Sequence, residues 1–575
     1  MSDPSSFRAL RRVAAPAVLA TLALALAVPA TAQNGEVLDA QKISATDGGL
    51  SVPPLSNDRF GWSTANIGDL DNDGVTDLAV GAFRQDSSDF DDGGVWILFM
   101  NADGTVKDHA RIGTGLGGFG PVLDASDWFG WAVAGLGDLD NDGNEDIAVS
   151  AIQDDDDDLD SGAVYIVYLN ANGSVKGTAK INGLAIGGFP GFLSFTSWFG
   201  SSIANLGDLD GDGVTDIAVG SHGDSENGDF QGAVWILFLN TNGTVKDHQK
   251  INGSQGGFTG LLEDGDEFGW SAAAIGDLDG DGITELAVGA DLDDDGGFDY
   301  GAVYILFLNA DGTVASHQKI SADEGNLVDI EFDDRDRFGR SVAALGDFDG
   351  DGVEDLAVGA YSDDDGAENA GAVYVLFLDT DGTVKDRTKI SLLSGNFPGG
   401  LDENDEFGCS VTSLGDLDGD GVGDIVVGAN KDDDGSFDSG AAWVLFLQAG
   451  AFEDIGSALA GTYGDPKLTA ASILVAGAPF SLQLSNALES TSAYMVVGFS
   501  QINLPFYGGT LVPAFELPNG VFFFVPTSIT GDFGIVTPWP PGAPSGLELY
   551  LQAWIVDGAA LHGLSATNAV FGTVP

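Results

Sequence analysis

The chain is poor in cysteine and in basic residues, and each shortage excludes a class of protein. Its 575 residues contain one cysteine, Cys409, so a disulfide framework is impossible. Only 21 lysines and arginines stand against 89 aspartates and glutamates, which gives a formal net charge of −68. Such a surface repels phosphate groups, so nucleic acid and anionic membranes are poor partners. Cationic or calcium-bridged ligands and adaptation to salty surroundings both remain open as reasons for the acidity.

Long apolar segments are also scarce. Near the N-terminus, three arginines precede an apolar stretch over residues 14–28 and the small-residue sequence Ala30-Thr31-Ala32. This pattern predicts a secretory signal peptide over residues 1–32, because the stretch is too short for a membrane span. No other segment has 18 uncharged apolar residues in a row. We therefore expect a protein without a membrane span that is secreted or attached to the cell surface. An exported protein without disulfides is typical of bacteria.

The sequence is rich in one acidic loop, Asp-x-Asp-x-Asp-Gly-x-x-Asp, which occurs six times at intervals of 69 or 70 residues, with Glu in place of the last Asp in the fourth copy. A fixed period of this length indicates one structural unit copied in series. In the fifth copy, apolar runs separated by turn signals predict strands at 338–345, 356–360, 371–378 and 383–390. No segment has the 3.6-residue apolar period of a helix. The sequence therefore predicts an all-β fold in which each unit is a four-stranded propeller blade.

The motifs around the acidic loops resemble the FG-GAP repeats of the integrin α-subunit propeller. A Phe-Gly pair precedes each loop, at 60–61, 129–130, 199–200, 268–269, 338–339 and 407–408. The residue after the Gly-Ala element is proline in that motif and never proline here, where the positions hold Phe83, Ile152, His222, Asp291, Tyr361 and Asn430. The resemblance covers about residues 37 to 448. It implies an FG-GAP β-propeller that recognises extracellular ligands.

The ends of the repeats indicate how the ring closes. A Lys-Ile or Arg-Ile pair ends the fourth strand of each unit, but the first such pair, at 42–43, precedes any Phe-Gly. The sixth unit has no such pair after Leu447. We therefore predict six blades over residues 33–449, rather than the seven of integrins, with an N-terminal strand over 37–44 completing the last blade. A degenerate seventh blade after residue 450 is the alternative.

The composition changes near residue 450. Residues 451–575 contain eight acidic residues and one lysine, and they are rich in Phe, Pro, Gly and Leu. Strand-like runs at 472–475, 494–499, 521–525 and 547–555 are separated by Pro and Gly. This pattern predicts a small C-terminal β-sandwich-like domain over residues 450–575. Attachment to the cell envelope or to a partner is one hypothesis for its role.

The acidic loops have the composition of calcium sites. Carboxylates at loop positions 1, 3, 5 and 9 converge if the chain turns tightly at the glycine of position 6, and the carbonyl of position 7 adds an oxygen. Crowded carboxylates repel one another, so a cation would stabilise each blade. We predict up to six calcium ions, with these ligands: Asp69, Asp71, Asp73, Val75 and Asp77; Asp138, Asp140, Asp142, Asn144 and Asp146; Asp208, Asp210, Asp212, Val214 and Asp216; Asp277, Asp279, Asp281, Ile283 and Glu285; Asp347, Asp349, Asp351, Val353 and Asp355; and Asp416, Asp418, Asp420, Val422 and Asp424.

Other interpretations of the loops are less consistent with the sequence. An EF-hand needs Glu at position 12 and flanking helices, but position 12 is valine in every copy. Zinc is disfavoured because histidine and cysteine clusters are absent. Solvated turns without any ion are the remaining alternative.

No arrangement of residues typical of catalysis is present, so we expect a protein that is not an enzyme. The histidines at 109, 248 and 317 share one repeat position and indicate a packing role. The Gly-Gly-Phe segments ending at Phe119, Phe189 and Phe258 either contact a ligand or fill space between blades. The sequence favours a monomeric, secreted, calcium-binding propeller for adhesion or surface recognition of a protein or glycan. The alternatives are a calcium-dependent, lyase-like polysaccharide-processing enzyme and a structural protein of an envelope or matrix.

Overall fold

The computed structural model describes residues 35–448, apart from Asp157, Ala185, 328–331, Gly350 and Gly421, together with ten strands between residues 453 and 573. The signal peptide predicted for residues 1–32 lies outside these residues. The chain divides into two compact units, one over residues 34–449 and one that contains residues 450–575.

Residues 34–449 form six four-stranded antiparallel sheets. Twenty-four strands build them, in chain order β1 (Glu36–Ile43), β2 (Ser63–Asn66), β3 (Leu78–Ala82), β4 (Gly94–Met100), β5 (Val106–Ile112), β6 (Phe129–Gly137), β7 (Asp146–Ala151), β8 (Ala163–Leu169), β9 (Val175–Ile181), β10 (Ile203–Gly207), β11 (Asp216–Ser221), β12 (Ala233–Leu239), β13 (Val245–Ile251), β14 (Ser271–Ala274), β15 (Leu286–Ala290), β16 (Ala302–Leu308), β17 (Val314–Ile320), β18 (Phe338–Gly346), β19 (Asp355–Ala360), β20 (Ala372–Leu378), β21 (Val384–Ser391), β22 (Phe407–Gly415), β23 (Asp424–Ala429) and β24 (Ala441–Gln448). Among the described residues there is no α-helix, so the predicted all-β propeller is confirmed.

The N-terminal strand closes the ring as predicted. The last sheet has the order β1-β24-β23-β22, whereas each of the other five is built from four consecutive strands. Strand β1 pairs antiparallel with β24, from Glu36 opposite Gln448 to Ile43 opposite Ala442. The edge that would otherwise remain open at the sixth blade is therefore covered by the start of the chain. The described strands after residue 450 form sheets of other orders and supply no seventh blade.

The third strand of each blade is buried on both faces because neighbouring blades pack against it. Strand β4, for example, is buried along its whole length. Close approach between blades also explains the glycine of the Val-Gly-Ala element. A Cβ atom on Gly81 would lie 2.1 Å from the carbonyl oxygen of Gly130 in the next blade. A side chain at Gly81 would therefore clash with this carbonyl, and the aromatic ring of each Phe-Gly pair is fully buried beside the contact.

The first strands of all six blades line one central cavity of about 350 Å³. The residue after each Phe-Gly pair stands at the end of this cavity where the first strands begin. Cys409 occupies that position in the sixth blade, where it is buried and its thiol donates to the carbonyl of Gly61, 3.4 Å away. This cysteine therefore packs inside the ring.

The Gly-Gly-Phe segments fill space between blades. Phe119, Phe189 and Phe258 are all buried. Phe189, for instance, stacks on Phe199 with ring centroids 5.3 Å apart and meets Trp235 edge-on at 5.1 Å. These rings are therefore part of the core, and the alternative of a ligand contact is wrong for them.

The second unit is also built from antiparallel strands. Its strands are β25 (Glu453–Asp454), β26 (Lys467–Ala471), β27 (Pro479–Ser485), β28 (Ser492–Gly498), β29 (Gln501–Phe506), β30 (Gly509–Pro513), β31 (Val521–Pro526), β32 (Phe533–Pro538), β33 (Glu548–Val556) and β34 (Leu564–Thr573). They form sheets of five, three and two strands. Three of the four predicted runs fall on strands, and the run at 472–475 lies outside the described residues. The sandwich arrangement stays a prediction.

Candidate metal loops and the opposite face

The six acidic loops connect the first and second strands of the blades, at the same end of the ring as the hairpins between the third and fourth strands. In the first blade, Lys107, which follows the hairpin, contacts Asp71 and Asp73 of the loop. This contact and its copies in other blades show that the two sets of loops share one face.

The chain turns inside each loop through residues with positive φ. At position 6 the described glycines, such as Gly74, have φ near +90°, where a side chain would be strained. The carboxylate at position 1 holds this turn from inside, since Asp69 accepts hydrogen bonds from the backbone N–H groups of Asp73 and Gly74, both at 2.8 Å. The glycine at position 6 thus has the conformational role that the sequence predicts for it.

The turn brings carboxylates together. In each of the first four loops, oxygens from positions 1, 3 and 9 lie within 4.8 Å of one another, and in the fifth loop oxygens from positions 1, 3 and 5 do so. Oxygens separated in this way can share one calcium ion, whose bonds to oxygen measure about 2.3–2.6 Å. Two position-3 oxygens, Oδ1 of Asp71 and Oδ1 of Asp140, are shielded from solvent and have no hydrogen-bond partner. The all-oxygen donor set and these unpaired atoms fit a hard divalent cation.

The carboxylate at position 9 has a second role that the motif did not indicate. Asp77 is buried and accepts hydrogen bonds from the N–H groups of Leu70 in the loop, at 3.1 Å, and Met100 in β4, at 3.0 Å. It therefore ties the loop to the third strand. Burial is the main cause that raises the pKa of Asp77 to about 6. Four of its copies repeat both hydrogen bonds, namely Asp146, Asp216, Asp355 and Asp424.

Glu285, at position 9 of the fourth loop, differs from these aspartates. Its Oε2 accepts the N–H of Leu278 at 2.7 Å, but its buried Oε1 has no hydrogen-bond partner. Burial, followed by repulsion from the carboxylates of the loop, raises the pKa of Glu285 to about 7. The extra methylene of glutamate thus leaves a buried carboxylate oxygen free beside Asp277 and Asp279.

The carboxylate at position 5 is paired with a lysine in four of the six loops. The ammonium group joins positions 3 and 5, and its distance to the position-3 carboxylate is 2.8 Å for Lys107, 2.6 Å for Lys176, 3.0 Å for Lys246 and 2.9 Å for Lys385. Hydrogen bonds from these lysines are the first cause that lowers the pKa of Asp73, Asp142 and Asp212. The N–H of position 7 also donates to position 5, as Val75 does to Asp73 at 3.0 Å.

The opposite face carries a second ring of ion pairs. The lysine of each Lys-Ile pair reaches the aspartate three residues after the end of the second strand, as Lys319 does to Asp293 at 2.7 Å. The same ammonium lies over the ring of Tyr304, 5.3 Å from its centroid. The contact recurs at Lys42, Lys180, Lys250 and Lys389. This geometry accounts for both the Lys-Ile pairs and the acidic runs of these loops.

Exposed apolar side chains are concentrated on that opposite face. Among the described residues, fifteen large hydrophobic side chains are exposed, and all except Leu38 lie in loops between the second and third strands or between blades. Four of them occupy equivalent loop positions around the ring, and the backbone carbonyl of each accepts a hydrogen bond from the next blade; they are Phe90, Leu159, Phe298 and Phe437. Their spacing is therefore fixed by the fold.

A buried charged cluster stands at the same end of the central cavity. Arg340 lies over the rings of Trp270, Tyr361 and Trp62, at 4.1, 4.6 and 4.7 Å from their centroids. Two of the residues that replace the proline of the FG-GAP motif, His222 and Asp291, are buried next to it. Burial, followed by the charge of Arg340, lowers the pKa of His222 to about 3, so this histidine is neutral. A neutral, buried histidine gives no sign of acid–base chemistry.

Comparison with known proteins agrees with this fold. The family model described as FG-GAP repeat matches residues 199–237, 268–306 and 338–376, which cover the first three strands of the third, fourth and fifth blades. The resemblance predicted from the Phe-Gly and aspartate motifs is thereby confirmed, and the chain is an FG-GAP repeat protein similar to integrin alpha chains. The predicted ligand residues of the six loops stay a prediction.

Three integrin alpha chains illustrate the similarity. The protein is 35% identical to integrin alpha-6 of Homo sapiens over 170 residues, which is 29% of this chain and 13% of that one. It is 30% identical to integrin alpha-PS2 of Drosophila melanogaster over 242 residues, 41% of this chain and 16% of that one. It is 33% identical to integrin alpha-5 of Xenopus laevis over 239 residues, which is 40% of this chain and 20% of that one. The chain thus spans no more than a fifth of the length of these relatives.

One solved structure, that of the V. cholerae biofilm matrix protein Bap1, aligns with 93% of this chain and 70% of its own at 15% identity and a TM-score of 0.27. A TM-score this low supports no argument about fold or function. In the part of the chain that the structure describes, no helix has the length and apolarity of a membrane span.

Proposed function

We propose that this protein is a secreted recognition module that binds an extracellular protein or glycan through the face opposite the acidic loops. The observation that carries the proposal is the one-sided placement of the exposed apolar side chains. Fourteen of the fifteen in the described residues lie on that face, where Phe90, Leu159, Phe298 and Phe437 occupy four of the six equivalent positions around the ring. Exposed apolar patches of this kind mark interaction sites. The similarity to integrin alpha chains supports the same role.

Calcium completes the proposal as a structural ion rather than a reactive one. In the first five loops three carboxylates converge on one point, so an ion there would relieve their repulsion and link the first strand to the second. An ion that binds only the folded ring stabilises it by mass action. We expect the melting temperature of the full chain to rise when calcium replaces EDTA. No rise would contradict the calcium part of the proposal.

The recognition face can be tested with the intact chain on immobilised glycans and extracellular matrix proteins, in the presence of calcium. Phe90→Ser, Phe298→Ser and Phe437→Ser remove three exposed rings without touching the core, so binding should weaken at least about tenfold for the triple variant, since a few central residues carry most binding energy. Leu38→Ser, an exposed apolar residue on the metal-loop face, is the matched control and should bind normally. Equal loss in both variants, or no binding to any probe, would contradict the proposal.

The same preparation separates the other functions. Release of unsaturated, ultraviolet-absorbing products from an acidic polysaccharide would indicate a lyase. Self-association on addition of calcium, without binding to any probe, would indicate a structural protein. Either result would replace the recognition role.

A further inference from the structure

The six acidic loops are alike in sequence, but only some of them are contacted by a lysine of the same blade. In four loops a lysine of the fourth strand joins the carboxylates of positions 3 and 5. Each of these lysines directly follows the valine that pairs with the end of the third strand, as Val106 pairs with Met100. The ammonium group therefore occupies a fixed place in the blade.

The fourth and sixth loops have no such lysine. The same register places Ala315 after Val314 in the fourth blade and Leu38 after Val37 in the sixth. Both residues are exposed, so nothing in the packing of the blade requires their identity. In these two loops the fourth strand therefore supplies no lysine to the carboxylates of positions 3 and 5.

The fourth loop has a second feature that favours a bound cation. Glu285 is 1% exposed, and its Oε1 has no hydrogen-bond partner although it lies in the group formed with Asp277 and Asp279. A buried, unpaired carboxylate oxygen is costly unless something binds it. A cation in the fourth loop would remove that cost, and no lysine is there to do so.

We propose that the fourth and sixth loops bind calcium more tightly than the other four, because the lysines act as internal cations that oppose the ion. This inference rests on the proposed function, in which the loops hold calcium. A single positive charge about 5 Å from a divalent ion weakens its binding roughly tenfold or more even when water screens the pair. Two tight sites and four weaker ones follow from the positions of Ala315 and Leu38 alone.

The test is a calorimetric titration of calcium into the chelator-treated full chain. The wild type should show two tight sites, and Ala315→Lys should remove one of them by lowering its affinity at least about tenfold. Ala315→Gln, which adds a side chain without charge, is the matched control and should keep both. In the opposite direction, Lys107→Met should raise the affinity of one weak site and give three tight sites.

Three results would overturn the inference. Six equivalent sites in the wild type would overturn the inference about affinity, although the protein would still bind calcium. Equal effects of Ala315→Lys and Ala315→Gln would show that size and not charge matters. No calcium binding at all would contradict the proposed function as well, so the two failures are distinguishable.

Discussion

The guanidinium of Arg340 lies 3.9 Å from a carboxylate oxygen of Asp291, and both side chains are buried beside the central cavity. Arg337 approaches the same oxygen at 4.0 Å. The equivalent positions in other blades hold uncharged residues, such as Trp131 and Ile152. This pair is therefore a local departure from the repeat, and its two charges depend on each other.

Arg340→Met should destabilise the ring by about 3–5 kcal/mol, because it leaves the buried carboxylate of Asp291 with reduced compensation. The double variant Arg340→Met/Asp291→Leu removes both charges and should recover most of the loss. Urea denaturation at fixed calcium concentration measures both. A double variant as unstable as the single one would show that stacking of Arg340 on Trp270 matters more than its charge.

The stability of the ring should depend on the ionisation of Glu267. Burial, followed by repulsion from Asp291, raises the pKa of Glu267 to about 8. Because the folded-state pKa lies above that of the unfolded chain, the stabilising contribution is complete below about pH 4 and is lost as the pH rises to about 8.

Glu267→Gln should therefore gain stability relative to the wild type between pH 5 and pH 8, by on the order of 1–2 kcal/mol after allowance for solvent screening. The measurement is the free energy of unfolding of both proteins across this range at saturating calcium. Glu263→Gln, an exposed carboxylate of the same inter-blade connection, is the control and should show no such difference. A constant gap between the Glu267 variant and the wild type would contradict the assignment.

Positions 3 and 9 of the acidic loops should respond differently to removal of charge. Asp77→Asn loses one backbone acceptor and should cost about 1–3 kcal/mol in EDTA as well as in calcium. Asp71→Asn loses only a partly exposed ion pair, so in EDTA it should cost at most about 1 kcal/mol. Its effect should appear as a smaller increase in melting temperature on addition of calcium. Equal behaviour of the two variants in EDTA would contradict the structural role of Asp77.

A side chain at Gly81 should weaken the contact between the first and second blades. Gly81→Ala places a Cβ atom 2.1 Å from the carbonyl oxygen of Gly130, so the blades must separate. We expect a loss of about 1–3 kcal/mol, the range for overpacked cores. Gly120→Ala is the matched control, since a Cβ there meets nothing within 4 Å. Thermal unfolding distinguishes the two, and equal melting temperatures would contradict the packing argument.

The sequence predicts most of the propeller because its information is repeated. Six in-register copies reveal the strands and blades, and the lone Lys42-Ile43 pair before the first Phe-Gly reveals how the ring closes. The carboxylate groups of the loops are predicted for the same reason. What repeats in sequence also repeats in space.

Interactions between distant parts of a blade were harder to predict. Lys107 follows Asp73 by 34 residues and meets it only because the hairpin and the loop share a face. The equivalence of Ala315 and Leu38 to this lysine follows from the strand register. The sequence alone therefore does not show that two loops lack the lysine. The pair of Arg340 and Asp291 was missed because both residues differ from the other repeats, so no pattern marks them. The position-9 hydrogen bonds were missed because a ligand role already explained those aspartates.

The pairing of Glu36 with Gln448 determines how the ring responds to mechanical load. Tension applied between residues 36 and 448 would break the hydrogen bonds between β1 and β24 one after another. Tension between residue 448 and the face that carries Phe437 runs along β24 instead, and loads its hydrogen bonds to β1 and β23 together in shear. If a ligand is held on that face and force is applied at residue 448, the force acts along β24. The ring should resist this force better than a force that separates residues 36 and 448.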